Sequence, residues 1–329
     1  MLLLFFALLT LAFSALFTKV AVVASARFGF GADESGGVQK FHSHPVSRVG
    51  GLPIFVAFVA CSLTLTWITR TEISTTLYFI FCLLPAFGIG LAEDLTRRVG
   101  ATTRLIVTMI SASLAWWLLE GKLMRIDLPA IDSLLGAYAP LAFAFTLIAA
   151  AGITHAVNII DGYNGLSGFF VSIVLFSLAW VAWGVGDIFI CRAALLGGSA
   201  TLGFLFWNFP KGHIFMGDSG AYLLGFAIAL LSILLVARNP EVSPWFPMLL
   251  VMHPASELMF SICRRARYGF SEIGKPDALH LHSLIYRRLV KHYGPVRRID
   301  LSMRRNATTS LYLWMATSLC AFPAVIFWQ

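Results

Sequence analysis

Long uninterrupted apolar runs of about 20 residues constrain this chain more than any other feature. A helix of that length crosses the hydrocarbon layer of a bilayer and satisfies its own backbone hydrogen bonds. Membrane barrel strands instead alternate apolar and polar side chains. The sequence therefore predicts an all-α integral membrane protein, a single domain over residues 1–329. About ten transmembrane helices are predicted, at residues 2–24, 51–69, 76–93, 105–119, 139–159, 166–184, 190–208, 220–237, 245–263 and 308–327.

The charge content agrees with a chain whose solvent is lipid. Only 12% of the residues are charged and 58% are hydrophobic, whereas soluble domains carry about 25% charged residues. This composition excludes a water-soluble enzyme, a disordered chain and a coiled coil. The five cysteines all fall inside apolar runs without metal-type spacing, and they are interpreted as small hydrophobic residues without a chemical role.

The basic residues predict the orientation. Loops on one side of the predicted bundle carry 18 of the 24 lysines and arginines, and cytoplasmic loops are the ones enriched in these residues. That side is therefore predicted to be cytoplasmic, with both termini on the other side. The net charge of +8 then reflects contact with the bilayer, and no nucleic acid partner is expected.

Four carboxylates at span ends share the predicted cytoplasmic face: Glu93, Asp94, Asp161 and Asp218. Acidic residues in or beside membrane spans are costly and usually functional. The same face carries His280 and His282, basic side chains near residues 97–104, and glycine-containing turns. Because Mg²⁺ binds through one or two carboxylates together with substrate phosphates, these residues predict phosphate chemistry at a lipid surface.

Five segments in this order resemble the polyprenyl-phosphate N-acetylhexosamine-1-phosphate transferase family, and the resemblance covers nearly the whole chain. They are Ser47–Gly51, Gly90–Asp94, Asn158–Gly165, Phe215–Gly220 and His280–His282. The resemblance implies transfer of a sugar 1-phosphate from a UDP-N-acetylhexosamine to undecaprenyl phosphate, with release of UMP. It also implies a multi-pass protein of the bacterial inner membrane, with both termini periplasmic and a homodimer as one assembly state.

The resemblance assigns a role to each matched position. Asn158 and Asp218 would ligate Mg²⁺, with Mn²⁺ as an alternative ion, while Asn164 would contact the uracil and Phe215 would stack on it. Asp94 would lie by the lipid phosphate as a base or as an orienting group. The remaining positions are Glu93 and Asp161 among the catalytic residues, and Arg48, Arg104, His280 and His282 among those that bind substrate.

Three positions depart from the family pattern. Glu93 stands where the family usually has the first Asp, Ala221 where a Ser often follows, and Ser283 where a third His often follows. The His-x-His form resembles the branch that initiates surface polysaccharides such as O-antigen, and it favours a simple UDP-amino sugar over a peptide-bearing one. Single and double displacement stay open. A transporter with an acidic relay and an inactive lipid-binding scaffold are the alternative functions.

Overall fold

The computed structural model describes residues 1–28, 32–33, 46–267, 280–288 and 298–329. These residues form helices joined by short connections, together with one two-residue antiparallel strand pair. In chain order the elements are α1 Leu2–Phe28, β1 Ala32–Asp33, β2 Val46–Ser47, α2 Gly51–Thr69, α3 Ile73–Thr96, α4 Ala101–Leu118, α5 Pro129–Ala137, α6 Ala139–Ile160, α7 Leu166–Val185, α8 Ile188–Asn208, α9 Gly217–Arg238, α10 Trp245–Leu250, α11 Met252–Ala266, α12 Leu281–Arg288 and α13 Arg298–Ile326.

Nine helices in the described part of the chain are long and apolar enough to cross a membrane: α1, α2, α3, α4, α6, α7, α8, α9 and α13. Each coincides with a run predicted from the sequence, so the prediction of an all-α membrane protein is confirmed. The side of the membrane on which each terminus lies stays a prediction.

The predicted span 245–263 differs from the other nine because it is broken into α10 and α11. Pro254 lies in the first turn of α11, and a proline ring clashes with the carbonyl of the residue four positions earlier, here Leu250. The helix therefore ends at Leu250 and restarts at Met252. The part of the run after the break is also more polar, because α11 carries His253, Glu257 and Ser261.

Helix α9 is the centre of the bundle. It packs against α2, α3, α6 and α7, and nearly every side chain from Ser219 to Val236 is buried. Peripheral helices instead present apolar side chains outward, as Leu16, Ile106 and Leu319 do. The apolar side chains of α9 therefore pack on neighbouring helices on all sides, and this position fixes where the N-terminus of α9 lies.

Several helix ends meet around the N-terminus of α9. They are the C-terminal ends of α3, α6 and α8 and the N-terminal ends of α4 and α7, as the contacts of Asp94, Arg104, Asn158 and Asn208 establish. Small residues allow this close approach: a Cβ on Gly90 would lie 2.5 Å from the carbonyl oxygen of Asp218. All the predicted acidic site residues are carried on these ends.

Candidate active site

The first turn of α9 is built around Gly217. This residue has φ +72°, and a Cβ on it would collide with the carbonyl oxygen of Arg48. Only glycine adopts this backbone conformation without strain. The chain can therefore turn sharply from Met216 into α9 and present the backbone N–H groups of its first turn to α3.

Asp94 of α3 accepts those N–H groups. Its Oδ1 accepts a hydrogen bond from the N–H of Asp218 and its Oδ2 one from the N–H of Ser219, both at 2.8 Å. The first N–H groups of a helix have no partner within the helix, and a carboxylate there also complements the helix dipole. Asp94 thus fixes α9 relative to α3, and its side chain is buried.

Asp218 is the point at which three helices converge. The Nδ2 of Asn158 in α6 donates to Asp218 Oδ1 at 3.1 Å, and the guanidinium of Arg104 in α4 forms an ion pair with Asp218 Oδ2. The side chains of Arg104 and Asp218 are 19% and 16% exposed, so a ligand can reach the pair. Asn158 and Asp218, sixty positions apart in the chain, are therefore in direct contact. Their predicted role as Mg²⁺ ligands stays a prediction.

Asp161 lies in the turn between α6 and α7. Its carboxylate accepts a hydrogen bond from the Ser167 hydroxyl, and that hydroxyl oxygen is 3.7 Å from Met216 Sδ, next to the first turn of α9. Burial raises the pKa of Asp161 to about 6, although Ser167 and the nearby charge of Arg48 oppose the shift. The turn is thereby tied to both Arg48 and α9.

His280 and His282 lie on the other side of this turn. Their rings stack with centroids 5.3 Å apart, and a Cβ on Gly162 would lie 3.2 Å from His282 Nε2. Burial lowers the pKa of His282 to about 4, so its ring is neutral at pH 7. Glu257 of α11 holds the segment, because its carboxylate accepts from Leu281 N–H at 2.7 Å and lies 3.3 Å from His280 Nδ1.

Asn164 is buried beneath the connection between α8 and α9. Its Nδ2 donates to the carbonyl of Pro210 at 3.0 Å, whereas its Oδ1 is buried and has no hydrogen-bond partner among the described residues. Asn208 joins the same two segments, accepting from Gly165 N–H at 2.6 Å and donating to the Ile214 carbonyl at 2.8 Å. Gly212 packs directly against this amide, since a Cβ on it would lie 2.7 Å from Asn164 Oδ1.

Phe215 is half-buried in the segment that leads into α9. Its N–H donates to the Ser47 carbonyl at 2.8 Å, and its carbonyl accepts from Gly50 N–H at 3.0 Å. Arg48 lies on this same strand-like stretch. Two of the motifs predicted to form the site, Ser47–Gly51 and Phe215–Gly220, are thus joined through their backbones.

Glu93 is placed differently from its neighbour Asp94. Its Oε2 accepts a hydrogen bond from Val99 N–H at 2.7 Å, which holds the turn between α3 and α4. The structure therefore gives Glu93 a local contact near Arg104 and not a contact with Asp218. Its predicted catalytic role stays a prediction.

Sequence reasoning missed several polar residues that the structure places around the site. Ser167 and Asn208 are described above, and His155 and Tyr222 meet each other one helical turn away from Asn158 and Asp218. The spacing could have revealed the last two, because residues three or four positions apart share one face of a helix. A polar residue at that spacing inside an apolar span is an informative signal.

The oxygen ligands at α9 fit a hard cation such as Mg²⁺. Asn158 and Asp218 offer an amide and a carboxylate in contact with each other. No group of three or more His, Cys, Asp and Glu side chains suited to a metal occurs in the part of the chain that the structure describes. An ion at Asn158 and Asp218 would therefore complete its shell with water and substrate oxygens, which is the usual arrangement for Mg²⁺.

A comparison with known protein families gives a match over the part of the chain that carries these site residues. Residues 76–236 match the family profile described as glycosyl transferase family 4. The matched range contains Asp94, Arg104, Asn158, Asp161 and Asp218.

Curated proteins extend the similarity beyond that range. A probable undecaprenyl-phosphate N-acetylglucosaminyl 1-phosphate transferase of Bacillus subtilis is 28% identical over 303 residues, covering 88% of this chain and 81% of that protein. A decaprenyl-phosphate N-acetylglucosaminephosphotransferase of Mycobacterium tuberculosis is 29% identical, with 86% and 72% covered. A phospho-N-acetylmuramoyl-pentapeptide-transferase of Geobacillus kaustophilus is 30% identical over 244 residues, with 69% and 72% covered.

Proposed function

Because the chain belongs to the polyprenyl-phosphate N-acetylhexosamine-1-phosphate transferase family, we propose that it transfers N-acetylhexosamine 1-phosphate from a UDP-N-acetyl sugar to undecaprenyl phosphate. The protein is a multi-pass enzyme of the bacterial inner membrane. In the proposed reaction an oxygen of the lipid phosphate attacks the phosphorus attached to the sugar. The bond from that phosphorus to the UMP oxygen breaks, and UMP leaves.

The observation that carries this proposal is the contact of Asn158 and Arg104 with Asp218 at the N-terminus of α9. Both substrates are anionic and repel each other, so the site needs positive charge near the phosphates. Arg104 supplies a guanidinium that suits phosphate oxygens. A bound Mg²⁺, held by Asn158 and Asp218, would neutralise diphosphate charge and stabilise the leaving UMP.

Asp94 acts in this proposal as an orienting group. Both of its carboxylate oxygens already accept backbone N–H groups of α9, and a lipid phosphate is an anionic nucleophile without a base. This arrangement favours direct attack by the lipid phosphate over a covalent intermediate on Asp94. Asp161, tied to Ser167, keeps the turn next to Asp218 in position.

The donor is proposed to bind along the turn that follows Asp161. The buried Oδ1 of Asn164, without a partner among the described residues, is suited to accept the imide N–H of uracil, and Phe215 lies on the adjoining segment for stacking. His280 and His282 are proposed to contact the sugar phosphate. Their imidazole nitrogens can exchange hydrogen bonds with phosphate and sugar groups.

The donor sugar and the pathway are a separate part of the proposal. The relatives include transferases for N-acetylglucosamine and for N-acetylmuramoyl-pentapeptide. We propose the surface-polysaccharide branch, with a simple UDP-amino sugar as donor, because Ser283 follows His282 where a third histidine would extend the motif. The transporter alternative is disfavoured, since the acidic residues cluster at helix ends, whereas transporter sites lie near the midplane.

The proposal is tested with the purified protein in lipid nanodiscs. With MgCl₂, undecaprenyl phosphate and UDP-N-acetylglucosamine we expect release of UMP and formation of a lipid-linked sugar diphosphate, detected by mass spectrometry. A panel of UDP-N-acetylhexosamines and UDP-N-acetylmuramoyl-pentapeptide identifies the donor. Absence of UMP from every donor, under conditions in which a related transferase is active, would contradict the proposal.

A further inference from the structure

We propose that His155 and Tyr222 form a positioning pair that holds Arg104 against Asp218 from the inner side of the site. The inference rests on the proposed function, because it assigns these residues a part in the same reaction. Neither residue belongs to the motifs that relate the chain to its family. Their role is argued from their contacts in the interior of the bundle.

A hydrogen bond between His155 and Tyr222 joins α6 to α9. Tyr222 Oη and His155 Nδ1 are 3.2 Å apart, and the two rings meet edge to face with centroids 5.1 Å apart. Tyr222 is 1% exposed. His155 lies three positions before Asn158 in α6, and Tyr222 lies four positions after Asp218 in α9. The pair therefore joins the same two helices as the Asn158–Asp218 contact, one helical turn further along each.

Tyr222 also contacts Arg104. The guanidinium carbon of Arg104 is 5.7 Å from the centroid of the Tyr222 ring, within the range of a cation–π contact. The same guanidinium forms the ion pair with Asp218. Arg104 is thus held between the face of Tyr222 and the carboxylate of Asp218, and Tyr222 is in turn held by His155.

The His155 ring has few polar contacts in the described part of the chain. Its Nε2 is buried and has no hydrogen-bond partner among the described residues, so the bond to Tyr222 is its one polar contact there. A buried polar ring is costly unless it is hydrogen-bonded. Loss of the Tyr222 hydroxyl would leave both ring nitrogens of His155 without a partner, and the effect would reach Arg104 through the Tyr222 ring.

The experiment compares Tyr222→Phe, His155→Leu, His155→Asn and the Tyr222→Phe/His155→Leu double variant with wild type. Tyr222→Phe removes only the hydroxyl and keeps the ring. His155→Asn keeps an acceptor at the δ position for that hydroxyl. Thr66→Val is the matched control, because Thr66 and Thr76 form a buried 3.2 Å pair between α2 and α3. That pair lies fifteen residues, about 22 Å, from the site end of α2.

We expect Tyr222→Phe and His155→Leu each to lower kcat/KM about tenfold, as loss of one buried hydrogen bond implies. The MgCl₂ concentration for half-maximal rate should rise as well. The double variant should be within about twofold of the worse single variant, because both remove the same bond. His155→Asn should restore most of the activity, and Thr66→Val should retain the wild-type MgCl₂ dependence.

A second measurement separates this inference from the proposed function. The rise in melting temperature caused by MgCl₂ and UDP reports binding without turnover, and we expect a smaller rise for Tyr222→Phe than for Thr66→Val. If the wild-type protein releases no UMP, the proposed function is wrong. The comparison of melting-temperature rises then tests the positioning pair by itself. Equal rises and equal kinetics for Tyr222→Phe and Thr66→Val, or multiplicative effects in the double variant, would overturn the positioning pair.

Discussion

Asp218 is the residue on which most contacts of the site depend. Its carboxylate receives Asn158 and Arg104, while its backbone N–H is held by Asp94. The side chain therefore provides charge for Arg104 and for the proposed cation, whereas the backbone N–H fixes the position of the first turn of α9. A substitution that preserves shape and removes charge separates these two contributions.

Asp218→Asn is predicted to lower kcat about 10³-fold, because charge stabilisation at the reacting phosphates is lost. The backbone bonds to Asp94 remain, so the melting temperature should change little. Activity and thermal unfolding are measured together in the same nanodiscs. Asp127→Asn is the control, since Asp127 is an exposed carboxylate that pairs with Arg125 away from the site. Wild-type activity in Asp218→Asn would remove Asp218 from the chemistry.

Asp161→Asn is predicted to make the substrate-free protein more stable at pH 7.5. Burial raises the pKa of Asp161 to about 6, above its value in the unfolded chain. The folded state therefore favours the protonated acid, and stability is lost as the pH rises from about 4 through 6. An amide avoids this loss, which should raise the apparent melting temperature by about 3 °C at pH 7.5. The difference should vanish at pH 4; a constant difference would contradict the prediction.

At the scale of elements, the N-terminus of α9 and the break between α10 and α11 shape the site. Gly217 allows α9 to begin against Arg48, and Asp94 then satisfies the first N–H groups of the helix. The break places α11 so that its buried polar residues, His253, Glu257 and Ser261, face the protein. Glu257 thereby reaches the segment that carries His280 and His282.

Gly217→Ala is predicted to destabilise the protein by about 3 kcal/mol, since a side chain at φ +72° is strained and its Cβ would collide with the Arg48 carbonyl. Activity should be lost together with stability. Gly152→Ala in α6 is the matched control, because its Cβ would meet no atom within 4 Å and alanine is the better helix former. Equal melting temperatures for the two variants would contradict the prediction, because they would mean that α9 does not begin with Gly217 packed against the Arg48 carbonyl.

For the whole molecule, the helix ends that carry the acidic site residues lie at one end of the bundle: Glu93, Asp94, Asp161 and Asp218. The distribution of lysine and arginine predicts that this end is cytoplasmic. Exposed residues are available on both ends: Lys211 lies in the connection before α9, and Glu120 follows α4. They allow the orientation to be measured directly.

Lys211→Cys is predicted to resist a membrane-impermeant maleimide in right-side-out vesicles, while Glu120→Cys should be labelled. The five native cysteines, all free thiols in the structure, are first changed to serine, and retained UMP release shows that the background is functional. Lysis of the vesicles should make Lys211→Cys reactive. Labelling of Lys211→Cys before lysis would reverse the predicted orientation of the bundle.

The sequence by itself determined the class of protein and pointed to Asp94, Asn158 and Asp218, which the structure brings together. Apolar runs of spanning length require helices in a bilayer, and nine of the ten predicted spans are continuous helices in the described chain. Span length and motif spacing are local features, because they can be read from neighbouring positions along the chain. The contact between Asn158 and Asp218 is not local, and only the family resemblance pointed to it.

Tertiary structure alone decided which groups bond to each other. Asp94 meets the first turn of α9 across 124 positions of chain, Glu93 bonds to its own turn, and His155 finds Tyr222 in another helix. Hydropathy and spacing do not specify how helices rotate and approach, since that depends on close packing of small residues and on buried hydrogen bonds between distant segments.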